Sequence, residues 1–564
     1  MSETGPISVA SAYSGRHVLI TGGSGFLGKV WLSMVLHELP DVGRVYVFLR
    51  PKALVSARRR FERMLNDSPA FKPLHDRFGC RLGEYLTERV EVLEGELDQP
   101  NLGLDSNVCH RLFRQLDLVI HCAGLVDFNP DLGKALASNV DATMRVADFV
   151  ERCDHASLLH VSTSYVAGSR PGRVPETLRP DYAPNGQPYS VERELQEARL
   201  EVERIRRAQD EPQVDAELRA RVEDEARDRG GFSEQGKRNL LRRYRRERLK
   251  AELSEAGMTR AAARGFPNTY TYTKSMAESL LYEREERLRF SIFRPTIVES
   301  ALHYPFPGWN ESFNGSAPLA YVMGSWYRMV PAKPDAPFDV IPVDQVCAAM
   351  TICGAALIEK RSARVYQIGT SDRNCCSVGR AAELIVLAHR QHFRARGRSK
   401  KERIVKSRWD ATLVSPDHPF GVNGLRSALN GTRHVIDVLP DKLRAKMSRL
   451  EARVDEIDGE LSDIELMVEL YMPFMYENFH VFECREIEAH PSVEPFFQFA
   501  PDQIDWRRYW LDVHMPGLRR WAFPLIEGRR PERYRAPDRT TLPPPPTDEA
   551  EALVSLPAPA RVPR

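Results

Sequence analysis

Between residues 17 and 50 the chain reads as strand, glycine turn, helix, strand, and this order constrains the fold more than any other feature. HVLIT (His17–Thr21) is a short apolar run rich in strand formers, and it breaks into GGSGFLG. KVWLSMVLHEL follows with helical character, and RVYVFLR is a second apolar run. A strand joined to a neighbour through a helix makes a parallel pair. Four more candidates follow: RVEVLEGEL, LDLVIHCAG, SLLHVST and RFSIFRPTIV, with apolar helical material between. The expectation is an α/β fold, a Rossmann-type doubly wound parallel sheet. A helical insertion and a smaller, mainly helical C-terminal domain complete it.

The glycine turn points to a dinucleotide. Thr21, Gly22, Gly23, Ser24, Gly25, Phe26, Leu27 and Gly28 stand where a strand ends and a helix opens. Glycines there allow a tight turn and close approach to a pyrophosphate, which the helix N-terminus then faces. Two spacings fit, Gly23-x-Gly25-x-x-Gly28 and Gly22-x-x-Gly25-x-x-Gly28. The second strand runs out into Arg50 and Lys52. An acidic residue there would favour NAD, whereas cations suit a 2′-phosphate, so NADPH is the expected cofactor.

The stretch NTYTYTKSMAE holds two tyrosines and a lysine. On a helix Tyr270 lies four residues before Lys274 and shares its face, while Tyr272 points elsewhere. A cation near the phenol is expected to lower its pKa and make a usable proton donor. In LLHVSTSYVAG, Ser162, Thr163 and Ser164 stand at the end of a strand, and ligands of open α/β sheets bind beyond the carboxyl ends of strands. A hydroxyl there can bond a carbonyl oxygen as it gains charge. Hydroxyl, phenol and ammonium in that order, after a dinucleotide turn, form a candidate catalytic set.

The remaining organisation is read from composition. The 564 residues carry 80 basic and 78 acidic side chains, net +2, which gives no global field for nucleic acid. Nine scattered cysteines without paired spacing imply a reducing, cytoplasmic setting and no metal site. No signal peptide and no membrane-spanning run is expected. Residues 15–382 are assigned to the NADPH-binding Rossmann domain and 383–526 to the C-terminal domain. Within the first, about 192–253 is a Glu/Arg-rich insertion of two or three solvated helices. Its basic cluster at 237–250 suits phosphates, a carrier protein or a membrane surface. Residues 527–564 are Pro-rich and expected to be disordered.

The motifs resemble the extended short-chain dehydrogenase/reductase superfamily, and within it the male-sterility type of fatty acyl-CoA reductase. The matching stretches include GGSGFLGKVWLSMVL, LVIHCAGLVDF, HVSTSYV, PNTYTYTKSMAE, FRPTIVES, PFPGWNESFNG and IDWRRYWLDVHMPGLRRW. The resemblance implies NADPH-dependent reduction of a fatty acyl-CoA to a primary alcohol through an aldehyde. It puts the catalytic hydroxyl, tyrosine and lysine on Thr163, Tyr270 and Lys274, with Ser162 as the next hydroxyl. It implies that Glu96, Leu97, Ala123, Asn139, Pro295, Thr296 and Ile297 join the cofactor site. Two departures stand out: Gly95-Glu96 replaces the family's Gly-Asp pair, and the spacer between HVST and the tyrosine is unusually long. Acyl-tunnel walls are expected around 304–313 and 470–482. The Trp/Arg mix of IDWRRYWLDVHMPGLRRW suits a peripheral membrane contact. Rival readings are an aldehyde-forming or acyl carrier protein-linked reductase, a sugar-nucleotide epimerase or hydroxysteroid-type dehydrogenase, and a non-catalytic NADPH sensor.

Overall fold

The computed structural model describes residues 5–542 except 53–54, 230, 312–314, 397–409, 420 and 438–440. Seven strands form its main sheet: β1 (His17–Thr21), β2 (Arg44–Leu49), β3 (Val90–Glu94), β4 (Leu118–His121), β5 (Ser157–Val161), β6 (Phe290–Pro295) and β7 (Val365–Ile368). Their order is β7-β6-β5-β4-β1-β2-β3, and every pair is parallel. The order reverses between β1 and β4, which opens a crevice at the carboxyl ends of those strands. β4, β5 and β6 are buried along their whole length, as strands covered by helices on both faces must be.

Helix α1 (Phe26–Glu38) starts directly from the turn after β1. Its Val30, Trp31, Met34 and Val35 are buried in the largest apolar cluster of the molecule, together with the small, apolar residues of a helix over Val343–Ile358. The doubly wound sheet expected from the sequence is therefore present.

The charged insertion consists of three helices, α2 (Val191–Ala208), α3 (Pro212–Asp228) and α4 (Glu234–Ala263). α3 and the first half of α4 form a hairpin with a small core of Val214, Leu218, Val222, Leu240 and Tyr244. Ion pairs lace the same seam: Lys237–Glu223 at 2.7 Å, Arg248–Glu217 at 3.1 Å, and Arg245–Asp215. The second half of α4 lies on α5 (Thr269–Tyr282). A Cβ on Gly257 would fall 2.6 Å from Thr269 Oγ1, so the two helices touch too closely for any side chain there.

The C-terminal part departs from expectation in three ways. The domain boundary at 382/383 falls inside a helix, Val378–Arg396. One apolar cluster joins Ala317, Val378 and Leu384 to Tyr509, Trp510 and Leu518, so the two segments share a core. The motif proposed for a membrane surface instead packs inward: Trp510 is fully buried in that core, and Trp521, nearly so, joins the largest apolar cluster. Finally, the stretch assigned to a disordered tail is anchored at least to residue 542. Asn66 exchanges two hydrogen bonds with the Thr540 backbone, at 2.8 and 2.9 Å, and Leu542 N donates to Glu62. Residues 543–564 lie outside the described residues. Among the described residues no helix is long and apolar enough to cross a membrane.

Candidate active site

The crevice at the strand ends is a cleft of about 480 Å³. Gly22, Gly25, Phe26, Leu27 and Gly28 line one end of it, and Tyr270, Lys274, Ser162 and Thr163 line the middle. Ala123, Pro295, Thr296 and Ile297 complete the set of anticipated residues that meet there.

The turn is built for close approach. Gly22 has φ +75°, a left-handed conformation that favours glycine. A Cβ there would lie 2.6 Å from the Ala123 backbone N, and one on Gly28 would lie 2.3 Å from the Gly22 carbonyl. Gly25 is the N-cap of α1 and supplies no side chain to its first N–H groups, which leaves them free for an anion. A cradle with no Cβ, at an uncapped helix N-terminus, fits a pyrophosphate. The residues present therefore fit a nicotinamide dinucleotide.

α5 begins where the sequence places it. Asn268 caps it, accepting from Thr271 N at 2.9 Å, just after Pro267. Tyr270 then faces the cleft beside the Thr163 hydroxyl, which accepts from Tyr165 N at 3.3 Å. Tyr272 points away and donates to Glu194 Oε1 at 2.5 Å. The spacing argument thus separates the two tyrosines correctly.

Its electrostatic corollary is overturned. Burial pushes the Tyr270 phenol above its ordinary range, opposed only in part by the Thr163 hydrogen bond. Lys274 Nζ is turned toward β5, donating to the Val161 carbonyl at 2.6 Å with His160 Nε2 at 3.4 Å. The same desolvation lowers the Lys274 ammonium to about 8. Burial sets the Tyr270 shift, so the phenol stays fully protonated at neutral pH.

Other anticipated residues lie outside the cleft lining. Thr21 is buried, with Oγ1 2.8 Å from His121 Nδ1 and accepting from Ala123 N at 3.3 Å. Gly23 packs toward Val47, and Ser24 is exposed. Asn139 is fully buried: its side chain donates to Thr273 Oγ1 and the Leu125 carbonyl and accepts from Leu125 N, at 2.8–3.1 Å. It ties the loop after β4 to α5 rather than lining the cleft. Glu96 is exposed and Leu97 half-buried, both beyond β3. Arg50 and Lys52 follow β2, whose Phe48 is in register with Thr21, so they leave the sheet beside the glycine turn without lining the cleft.

Sequence reasoning missed two groups. His121 and His160 are fully buried beside Lys274, stacked with ring centroids 5.5 Å apart. Desolvation holds His121 neutral, its pKa lowered to about 3, and pushes His160 down as well. They stood in plain view within LVIHCAG and LLHVST, as polar residues in apolar strands. The second group is an aromatic wall. Phe128 packs against Tyr270, Tyr471 and Phe474, with centroids 6.4, 6.1 and 5.7 Å away. Tyr165 meets Phe474 edge-on at 4.9 Å, and Tyr471 donates to the Gly315 carbonyl at 2.7 Å. Of the two expected tunnel segments, 470–482 contributes Tyr471 and Phe474. The other contributes mainly Glu311: Tyr304 is buried against Ser33, Trp309 stacks on Phe26 at 5.0 Å, and Phe313 lies outside the described residues.

A glycine turn, a dinucleotide cradle and a Thr/Tyr/Lys set on one Rossmann sheet define an oxidoreductase of the short-chain dehydrogenase/reductase type that uses a nicotinamide cofactor. The profile of the male sterility protein family matches residues 20–350, and the chain belongs to that family. It is similar to fatty acyl-CoA reductase 8 of Arabidopsis thaliana, 28% identical over 522 residues that cover 89% of this chain and 96% of that one. It is also similar to the alcohol-forming fatty acyl-CoA reductase of Simmondsia chinensis, 25% identical, with 92% and 99% covered. Among solved structures, the reductase domain of a non-ribosomal peptide synthetase from Mycobacterium tuberculosis aligns with a TM-score of 0.47 at 15% identity, covering 85% of this chain and 87% of that one.

Proposed function

We propose that the protein reduces long-chain fatty acyl-CoA to a primary alcohol in two steps, with NADPH as reductant. The observation that carries this reading is the joining, in one cleft, of a dinucleotide cradle, the Tyr270–Thr163 hydroxyl pair and an apolar aromatic wall. The relatives named fatty acyl-CoA reductase match along nearly their whole length, which supports the same substrate class here.

When bound, the reduced nicotinamide supplies hydride. The glycine turn and the N-terminus of α1 would hold its pyrophosphate, and Lys274 its ribose. Arg50 and Lys52, in place of an acidic residue after β2, support NADPH over NADH. Thr163 and Tyr270 orient the thioester carbonyl and bond its oxygen as charge develops. The carbonyl carbon gains hydride, and its oxygen takes the Tyr270 proton. The resulting thiohemiacetal loses the coenzyme A thiol and leaves an aldehyde. A second hydride and a second proton through Tyr270 give the alcohol. The wall of Phe128, Tyr471 and Phe474 excludes water and packs the acyl chain.

The test is to count NADPH consumed per thiol released from a long-chain acyl-CoA. A ratio of two, with alcohol as product, is the expected result. A ratio of one would mean release at the aldehyde, and turnover with NADH at equal efficiency would remove the cofactor assignment.

A further inference from the structure

The inserted helix α4 carries a charge pattern that the reduction does not use. Arg238, Arg242, Arg246 and Lys250 recur every four residues, and all four are exposed. Side chains at this spacing share one slowly winding face. The neighbouring cations are engaged: Lys237 with Glu223, Arg243 with Glu225 and Glu247, Arg245 with Asp215, Arg248 with Glu217 and Glu252. Among the described residues the four stripe cations pair with no carboxylate. The helical repeat places them opposite the α3 seam, and no acidic side chain falls within their sector.

The stripe is aimed. Lys250 lies one helical turn before Ser254, and Arg246 two turns before it. Ser254 Oγ donates to the Asn129 carbonyl at 3.4 Å, and Gly257, further along, is pressed onto Thr269 of the catalytic helix. Asn129 belongs to the loop whose Phe128 lines the cleft and whose Val126 lines it while staying 54% exposed. The unpaired face of α4 therefore continues outward from the rim of the cleft. From Arg238 to Lys250 it runs for about 18 Å along the helix axis.

We propose that this stripe docks an acidic carrier protein that presents the acyl group on a phosphopantetheine thioester. The proposal rests on the thioester-reductase reading and names a second donor for the same site. Its length favours a protein face, because the clustered phosphates of one nucleotide would engage only part of it. Its chemistry disfavours a lipid surface: among the described residues, no large apolar side chain on α4 is exposed, and interfacial helices need an apolar face beside the basic one. Charges arranged in this way steer encounter and set salt dependence.

The experiment compares the wild type with R238Q/R242Q/R246Q/K250Q on two donors, hexadecanoyl-CoA and an acidic carrier protein loaded with the same acyl group. With the carrier donor, kcat/KM should fall at least about tenfold in the variant and lose its steep salt dependence, as expected for steering charges. With the CoA donor it should stay within about twofold, because such charges act on the encounter with the carrier face. An equal loss on both donors would overturn the proposal in favour of nucleotide-phosphate recognition. No loss on either would overturn it outright. A wild type that turns over the CoA donor but not the carrier donor would also overturn it, while leaving the reductase reading intact. If neither donor turns over, the reductase reading fails, and anisotropy titration of the unacylated carrier against both proteins decides the docking claim alone. Loss of binding to anionic vesicles in the variant, with carrier binding unchanged, would assign the stripe to a membrane and overturn the proposal.

Discussion

The two faces of α5 use the same residue type for opposite purposes. On the front, Tyr270 meets Thr163 in the cleft. On the back, two residues later, Tyr272 is fully buried and bonded to Glu194, which also holds Arg260 at 3.0 Å and Arg264 at 2.5 Å. The front is open to a ligand, so its hydroxyls are available to bond a developing charge. The back is closed, so its phenol, carboxylate and guanidinium groups satisfy one another and pin the inserted helices to α5. A tyrosine's role here is set by what faces it, and helical phase decides that.

Tyr270→Phe and Tyr272→Phe break this comparison most sharply. The first should lower kcat by about 10²–10⁴-fold, the range for losing a positioned proton donor, with stability little changed. The second should leave kcat within a few fold. Equal losses in both would mean that Tyr270 acts through folding. Glu194→Ala should cost about 3 kcal/mol in urea unfolding, the low end for breaking a buried pair, because Arg260 and Arg264 are 21% and 28% exposed. Unchanged stability would show that the back face is not a staple.

Lys274 sharpens the contrast through pH. Its folded pKa is lowered to about 8 from 10.5 by burial. If the charged ammonium holds the cofactor, kcat/KM is full below about 8 and falls as pH rises through that value. Stability runs the other way: between about 8 and 10.5 the unfolded chain keeps a proton that the folded one has lost, so unfolding free energy rises with pH. The difference between wild type and Lys274→Met isolates this contribution. A kcat/KM plateau to pH 9.5 would remove the charged lysine from the mechanism.

The parts legible in the sequence are those dictated by local geometry. The glycine turn, the strand ends and the phase of Tyr270 against Tyr272 each follow from backbone conformation or helical repeat. Desolvation is not local, so the sign of the Tyr270 shift came out reversed. Helical phase brings Lys274 to the cleft with Tyr270, but its bond to the Val161 carbonyl depends on β5, more than a hundred residues earlier. The aromatic wall was the least legible, since Phe128 meets Tyr471 and Phe474 only through tertiary folding. In IDWRRYWLDVHMPGLRRW, alternating Trp and Arg resembled an interface, yet the rings fill the core while most of the arginines reach outward.

The smallest expected effect comes from that wall, and it tests whether the front face extends beyond α5. Phe474 contacts both Phe128 and Tyr165, so it closes the cleft between the loop after β4 and the segment after β5. Phe474→Ala removes a ring without touching Tyr270, Thr163 or Lys274. Hydride transfer should survive, so kcat for the best donor should change only slightly. The ratio of kcat/KM between long and short acyl donors should shift several-fold, because one methylene in an apolar pocket is worth about 1–3 kcal/mol. An unchanged ratio would place the acyl chain elsewhere and leave the aromatic wall as core packing. A loss equal on all chain lengths would instead tie Phe474 to the orientation of Tyr270, through Phe128, and make the C-terminal segment part of the catalytic face.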